Sequence, residues 1–185
     1  MSAARATARI VRVFVSSPRD VAAERAVLDE VVESINRTDG QACSVRLELW
    51  RWEQDAVPQL GRAPQDVIDA QTPAYDIYLG ILAHRFGTKT GRFGSGTEKE
   101  FRDALKRWGA TGAPWILFYF SKAKVDAAEL DLEQYAKVRK FREQLERRGQ
   151  GLYATYETVR GSREGFFEKV GEHLRGVVQR LAASA

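Results

Sequence analysis

The feature that most constrains this chain is an alternation. Five short runs rich in β-branched and aromatic residues are each followed by a stretch with helical character. Residues 10–15 (IVRVFV) read as a buried strand closed by Ser16-Ser17-Pro18. Pro18 then opens a helix at its first position, with Ser17 as the predicted N-cap, Asp20 in the first turn and Val21, Leu28, Val32 and Ile35 on one face. Residues 36–40 end that helix. Val45, Leu47 and Leu49 alternate with charged residues, which predicts a half-exposed second strand near a sheet edge. After a loop at 58–64 comes a short helix at 64–69, then a third strand at 75–82. Four glycines and no apolar periodicity mark 87–96 as a mobile loop. The series closes with a helix at 97–108, a strand at 115–120, a long helix at 130–148, a strand at 152–156 and a helix at 162–181. Parallel neighbours need a crossover, and a helix supplies it, so the alternation predicts a parallel sheet covered on both faces. The expected fold is a flavodoxin-like three-layer α/β sandwich of strand order 2-1-3-4-5. One domain at 9–181 is expected, with a flexible N-terminus at 1–8 and a tail or linker at 182–185.

Bulk properties narrow the setting. The longest apolar run, 115–120, falls far short of the roughly 20 residues a membrane helix needs, so no membrane is expected as partner. The start of the chain has no apolar segment of the kind a secretory signal carries. A single cysteine, Cys43, excludes an internal disulfide and fits a reducing, cytoplasmic setting. Net charge is +4, and residues 137–148 hold six basic residues against two acidic ones, which equals the whole excess. Arg139–Glu143, Arg142–Glu146 and Glu143–Arg147 stand four apart and suit a solvated helix. No recognition motif or interleaved aromatics accompany them, so a nucleic-acid surface is not expected.

In such sheets ligands bind beyond the carboxyl ends of the strands, at the switch point between strands one and three. Two loops line that point here. One carries Ser16, Ser17, Arg19 and Asp20. The other carries His84, Arg85, Phe86 and Gly87 and leads through the glycine-rich loop to Thr97, Glu98 and Glu100. Hydroxyls, arginines, a helix start and carboxylates together suit a ligand with phosphates and a ribose. Each residue also has a plainer reading. Thr97-x-x-Glu100 is a capping box, Glu98 favours the helix dipole, Ser17 is an N-cap, and Arg19–Asp20 and Glu24–Arg25 form surface ion pairs. Of Trp50 and Trp52, one belongs to the core and the other is free to flank a base. His84 and His173 have no partner at ligand spacing, so no metal is expected. Residues 87–96 lack the Gly-Lys-Ser/Thr of a P-loop.

Three motifs occur in order: Val13-Phe14-Val15-Ser16-Ser17-Pro18-Arg19-Asp20 with Glu24-Arg25 behind it, then Tyr75-Asp76-Ile77-Tyr78-Leu79-Gly80-Ile81 with Arg85-Phe86-Gly87-Thr88, then Ser95-Gly96-Thr97-Glu98-Lys99-Glu100-Phe101. Together they resemble a TIR-like domain of unknown function found at the N-termini of NACHT and other STAND ATPases, in bacterial defence proteins and in telomerase-associated proteins. The wider superfamily includes TIR domains, many of which cleave NAD, and nucleoside 2-deoxyribosyltransferases. In both, the catalytic acid lies on the helix after strand three. The resemblance therefore implies Glu100 as the catalytic carboxylate, supported by Glu98 and by Asp76, which matches an aspartate at the start of strand three. It implies substrate contacts from Ser16, Ser17, Arg19, Asp20, Arg85, Phe86, Gly87 and Thr97. It further implies NAD or a related nucleotide as substrate with no separate cofactor, self-association, and a fused or associated ATPase or sensor domain. A non-catalytic interaction module and deoxyribosyl transfer are the alternatives. The chain departs from the pattern in having Ser16-Ser17 where a tyrosine is usual and in lacking a Trp-Cys pair before the glutamate.

Overall fold

The computed structural model describes residues 8–149 and 151–184. The predicted flexible N-terminus lies outside the described residues except for its last position. Five strands form one sheet: β1 (Arg9–Ser16), β2 (Val45–Trp50), β3 (Ile77–Leu82), β4 (Trp115–Ser121) and β5 (Ala154–Tyr156). Their order is β2-β1-β3-β4-β5, and every pair is parallel. The helices are α1 (Ala22–Arg37), α2 (Asp39–Cys43), α3 (Trp52–Asp55), α4 (Pro64–Gln71), α5 (Gly96–Thr111), α6 (Leu132–Arg148) and α7 (Phe166–Ala183). The predicted α/β architecture and strand order are what the chain adopts.

Strand parity divides the core into two. Val11, Val13 and Val15 of β1 and Ile77, Leu79 and Ile81 of β3 face one side, where they meet α1 and α7. Phe14, Tyr78, Leu82, Phe118 and Phe120 face the other side and pack on α5 and α6 through Phe101, Ala104, Val138 and Phe141. Side chains alternate across a strand, so Ser16 falls on the Phe14 side, toward α5. Its register partner on β3 is Gly80. A Cβ at Gly80 would stand 2.5 Å from the Phe118 ring, so glycine here lets an aromatic side chain cross the strand.

Several boundaries differ from expectation. Pro18 is extended, residues Arg19–Val21 make a 3-10 turn, and α1 proper begins at Ala22. The second strand ends at Trp50, and Trp52 opens the one-turn helix α3. Of the three ion pairs expected on α6, Arg139–Glu143 and Arg142–Glu146 are present at 3.8 Å, while Arg147 reaches the Glu143 carbonyl. Among the described residues no helix is long and apolar enough to cross a membrane.

Candidate functional site

The first turn of α5 is fixed by Ser95 and Glu98. Ser95 Oγ accepts from the Glu98 N–H at 3.0 Å, and Glu98 Oε2 accepts from the Gly94 N–H at 2.9 Å. This resembles a capping box two residues earlier than Thr97-x-x-Glu100, with Glu98 reaching the N–H just before the N-cap Ser95. Glu98 is thereby tied to the loop and to Arg102 at 3.7 Å, and it serves the helix end rather than a ligand. Glu100 is left free of capping. One and a half turns of helix geometry bring it instead against the end of β1.

There the Ser16 hydroxyl donates to Glu100 Oε2 at 2.5 Å, across 84 residues of chain. Gln65 of α4 donates from Nε2 to Oε1 at 3.0 Å, and the same nitrogen donates to Asp69 at 3.0 Å. Asp69 in turn binds Lys99 at 2.5 Å. Glu100, Ser16 and Gln65 are all buried. Burial disfavours the charged carboxylate and lifts its pKa from 4.5 to about 7, the largest effect; the Ser16 and Gln65 hydrogen bonds pull the other way, the nearby Asp69 charge raises it and Lys99 lowers it. Tyr78, fully buried beside them, donates to the Thr97 carbonyl at 3.3 Å. Its phenol is pushed well above its ordinary value by burial and then by the Glu100 charge.

Glu100 lies at the wall of a cleft of about 740 Å³, a size suited to a small-molecule ligand. Ser17, Arg19, Trp52, Arg85, Gly87 and Thr97 also line it, as do Lys89, Thr90 and Gln134. Among the described lining residues Glu100 is the only carboxylate, against the cations Arg19, Arg85 and Lys89. Arg85 also faces Asp131 at 3.7 Å, with about half of its side chain exposed.

Other expected site residues do something different. Asp76 sits before β3, where it accepts from the Arg12 N–H at 3.0 Å and faces Arg9 at 3.7 Å. It is therefore level with Arg12, four residues below Ser16, or ~13 Å along the strand, at the opposite end of the sheet from Glu100. Phe86 is buried and packs on Phe141 with ring centroids 5.5 Å apart, because an apolar ring at this point is drawn between the two helices of the aromatic face. Asp20 accepts from the N–H groups of His84 and Arg85, both at 2.9 Å, and so clasps the two loops together without lining the cleft. Ser17 caps nothing: its hydroxyl accepts from Arg25 at 2.9 Å, since the 3-10 turn carries the helix start away from it. Arg19–Asp20 and Glu24–Arg25 are not ion pairs; Glu24 is buried and accepts from Tyr156 at 2.8 Å, and Arg25 faces Glu53 at 3.6 Å.

Two contributors, Gln65 and Gln134, had no sequence signal of their own. Gln65 stands on a helix that the pattern located, but nothing in one dimension aims its amide at Glu100. Gln134 Oε1 accepts from the N–H groups of Phe86 and Gly87 at 2.9 and 3.0 Å and so shapes the loop from a helix 47 residues later. Gly87 has φ of +99°, a conformation that glycine adopts without strain. The loop after it is held by a Thr90–Phe93 bridge with backbone bonds of 3.1 and 2.9 Å. Among the described residues there is no cluster suited to a metal ion.

No curated protein matches this chain. A family described as a domain of unknown function (DUF4062) matches residues 12–170, a span that runs from β1 into α7 and contains every element of the cleft. The chain is a member of that family.

Proposed function

We propose that this domain cleaves the N-glycosidic bond of NAD or a related nucleotide. The observation that carries the reading is Glu100: a buried carboxylate, held by Ser16 and Gln65, alone among the described lining residues in a cleft ringed by cations. Arg19, Arg85 and Lys89 are placed to attract the oxygens of a pyrophosphate. Trp52 offers an aromatic face to a base. In the reaction the bond between ribose C1′ and the nicotinamide nitrogen breaks, and its electron pair neutralises the departing pyridinium. Ionised Glu100 stabilises the oxocarbenium-like sugar, then takes the proton of the water that attacks C1′. The leaving group needs no acid, so the ionised form of Glu100 is the working one. The resemblance to TIR-like domains of NACHT and STAND proteins points the same way and suggests a role in immune or stress signalling.

The test is nicotinamide release by the purified domain at high protein concentration, beside Glu100→Ala and Glu100→Gln. Release that both substitutions abolish is the expected result. Full turnover by Glu100→Ala would end this mechanism. Supplying a free base and a deoxynucleoside separates hydrolysis from deoxyribosyl transfer, which alone would exchange the base.

A second reading, a non-catalytic interaction module that self-associates or joins an ATPase, draws on a different observation. A groove of about 720 Å³ at the far end of the sheet is lined mainly by apolar side chains, with Trp108, Trp115 and Leu152 exposed. No release from a folded domain, together with concentration-dependent sedimentation, would favour it.

A further inference from the structure

A small second cavity, about 250 Å³, lies at the carboxyl ends of β3 and β4 beneath α6. His84 and Tyr135 line it, whereas their sequence neighbours Arg85 and Gln134 line the Glu100 cleft, so the two spaces stand on either side of the same two segments. Its polar lining is His84, Ser121, Lys122, Tyr135, Arg139 and Arg142, with no carboxylate. Two of these carry a buried polar atom without a hydrogen-bond partner: Nδ1 of His84 and Nε of Arg142. Buried polar groups are nearly always satisfied, so two orphans on residues that line one cavity point to a missing partner. Both orphan nitrogens belong to residues that suit an acceptor. Arg139 and Arg142 do face Glu143 and Glu146, but at 3.8 Å, beyond hydrogen-bond reach. Lys122 takes part in no ion pair among the described residues.

We propose that this cavity is a second oxyanion site that binds a phosphate group, either free inorganic phosphate or the phosphomonoester of a small metabolite. Lys122, Arg139 and Arg142 supply the counter-charge, and His84 donates from Nδ1. The volume lies below the ~300–1,000 Å³ of drug-sized ligand pockets, which excludes a dinucleotide and leaves room for a phosphate with little attached. The assignment is independent of what the Glu100 cleft does.

The chain has two histidines, His84 and His173, which makes imidazole nitrogen NMR a direct probe. His173 Nδ1 is engaged with the Tyr119 hydroxyl at 2.8 Å and serves as the internal reference. The full chain is titrated with inorganic phosphate and, separately, with ribose 5-phosphate, each against chloride at matched ionic strength. The expected result is a saturable shift of the His84 nitrogens alone, weakened about tenfold in Lys122→Ala, the loss of one charge-assisted contact. Lys122 is exposed, so this substitution leaves the fold in place. Tighter binding of the sugar phosphate identifies an ester as the ligand; tighter binding of inorganic phosphate identifies the free ion. A shift that chloride reproduces, or none that saturates, overturns the proposal. So does a shift removed by Arg19→Ala and kept in Lys122→Ala, because the anion would then sit in the Glu100 cleft.

Discussion

Glu100 couples stability to pH through one proton. Its pKa of about 7 in the fold lies above the 4.5 of an ordinary glutamate. Between those pH values the native state keeps a proton that the unfolded chain has released, so this group makes stability fall as pH rises through that window. The full cost above pH 7 is ~3 kcal/mol. Glu100→Gln removes the titration, and urea unfolding of the two proteins is expected to diverge in favour of the variant by about 3 kcal/mol between pH 4 and pH 8. Equal curves at both ends would show that the carboxylate is not buried as described. In the proposed reaction the same proton has the opposite effect on turnover. If ionised Glu100 is the working form, kcat/KM for nicotinamide release rises with pH through about 7, while stability declines. Glu98 behaves differently. Glu98→Ala removes an acceptor from the Gly94 N–H and costs about 1 kcal/mol, read as a lower urea midpoint, with glycosidic cleavage retained.

At the scale of elements, the alternation of strand and helix was readable because parity and helical period are both local. β1 shows this: Val11, Val13 and Val15 feed one core and Phe14 the other, and the same parity delivers Ser16 to α5. The start of α5 was readable only to within a turn. Ser95-x-x-Glu98 and Thr97-x-x-Glu100 have the same spacing, and the choice between them is made by packing, since Phe101 must meet Phe118 and Phe141 at 5.4 and 5.5 Å. Gln65 and Gln134 were not readable as site residues, because a buried amide finds its partner only where two elements cross. The aromatic face that sets α5 is therefore part of the site's support. Phe141→Ala is expected to cost ~3–5 kcal/mol. Gly80→Ala forces the Phe118 ring aside and is expected to cost ~1–3 kcal/mol. Thermal unfolding monitored by circular dichroism checks both, and a neutral Gly80→Ala would contradict the close approach.

Across the whole molecule, the sheet separates two ends with different work. The cleft lies at the carboxyl end, and Asp76 with Arg9 and Arg12 lies at the other. Asp76→Asn is expected to leave nicotinamide release at its starting rate. It should lower stability by less than about 1 kcal/mol, as for other exposed pairs. A large loss of turnover with unchanged stability would place Asp76 in the chemistry after all.

The order of the parts along the chain has a consequence in time. Ser16 and Gln65 both precede Glu100, so a growing polypeptide already holds the carboxylate's two donors when the carboxylate itself emerges. What steadies α5 and the Phe86–Gly87 loop comes later: Phe118, then Gln134 and Phe141. At roughly 5–20 residues per second, several seconds pass between the emergence of Glu100 and that of Phe141. A ribosome that stalls in this interval releases a fragment bearing every atom of the donor set without the aromatic face that holds α5 in place, so the surroundings of Glu100 are complete only once α6 has been made.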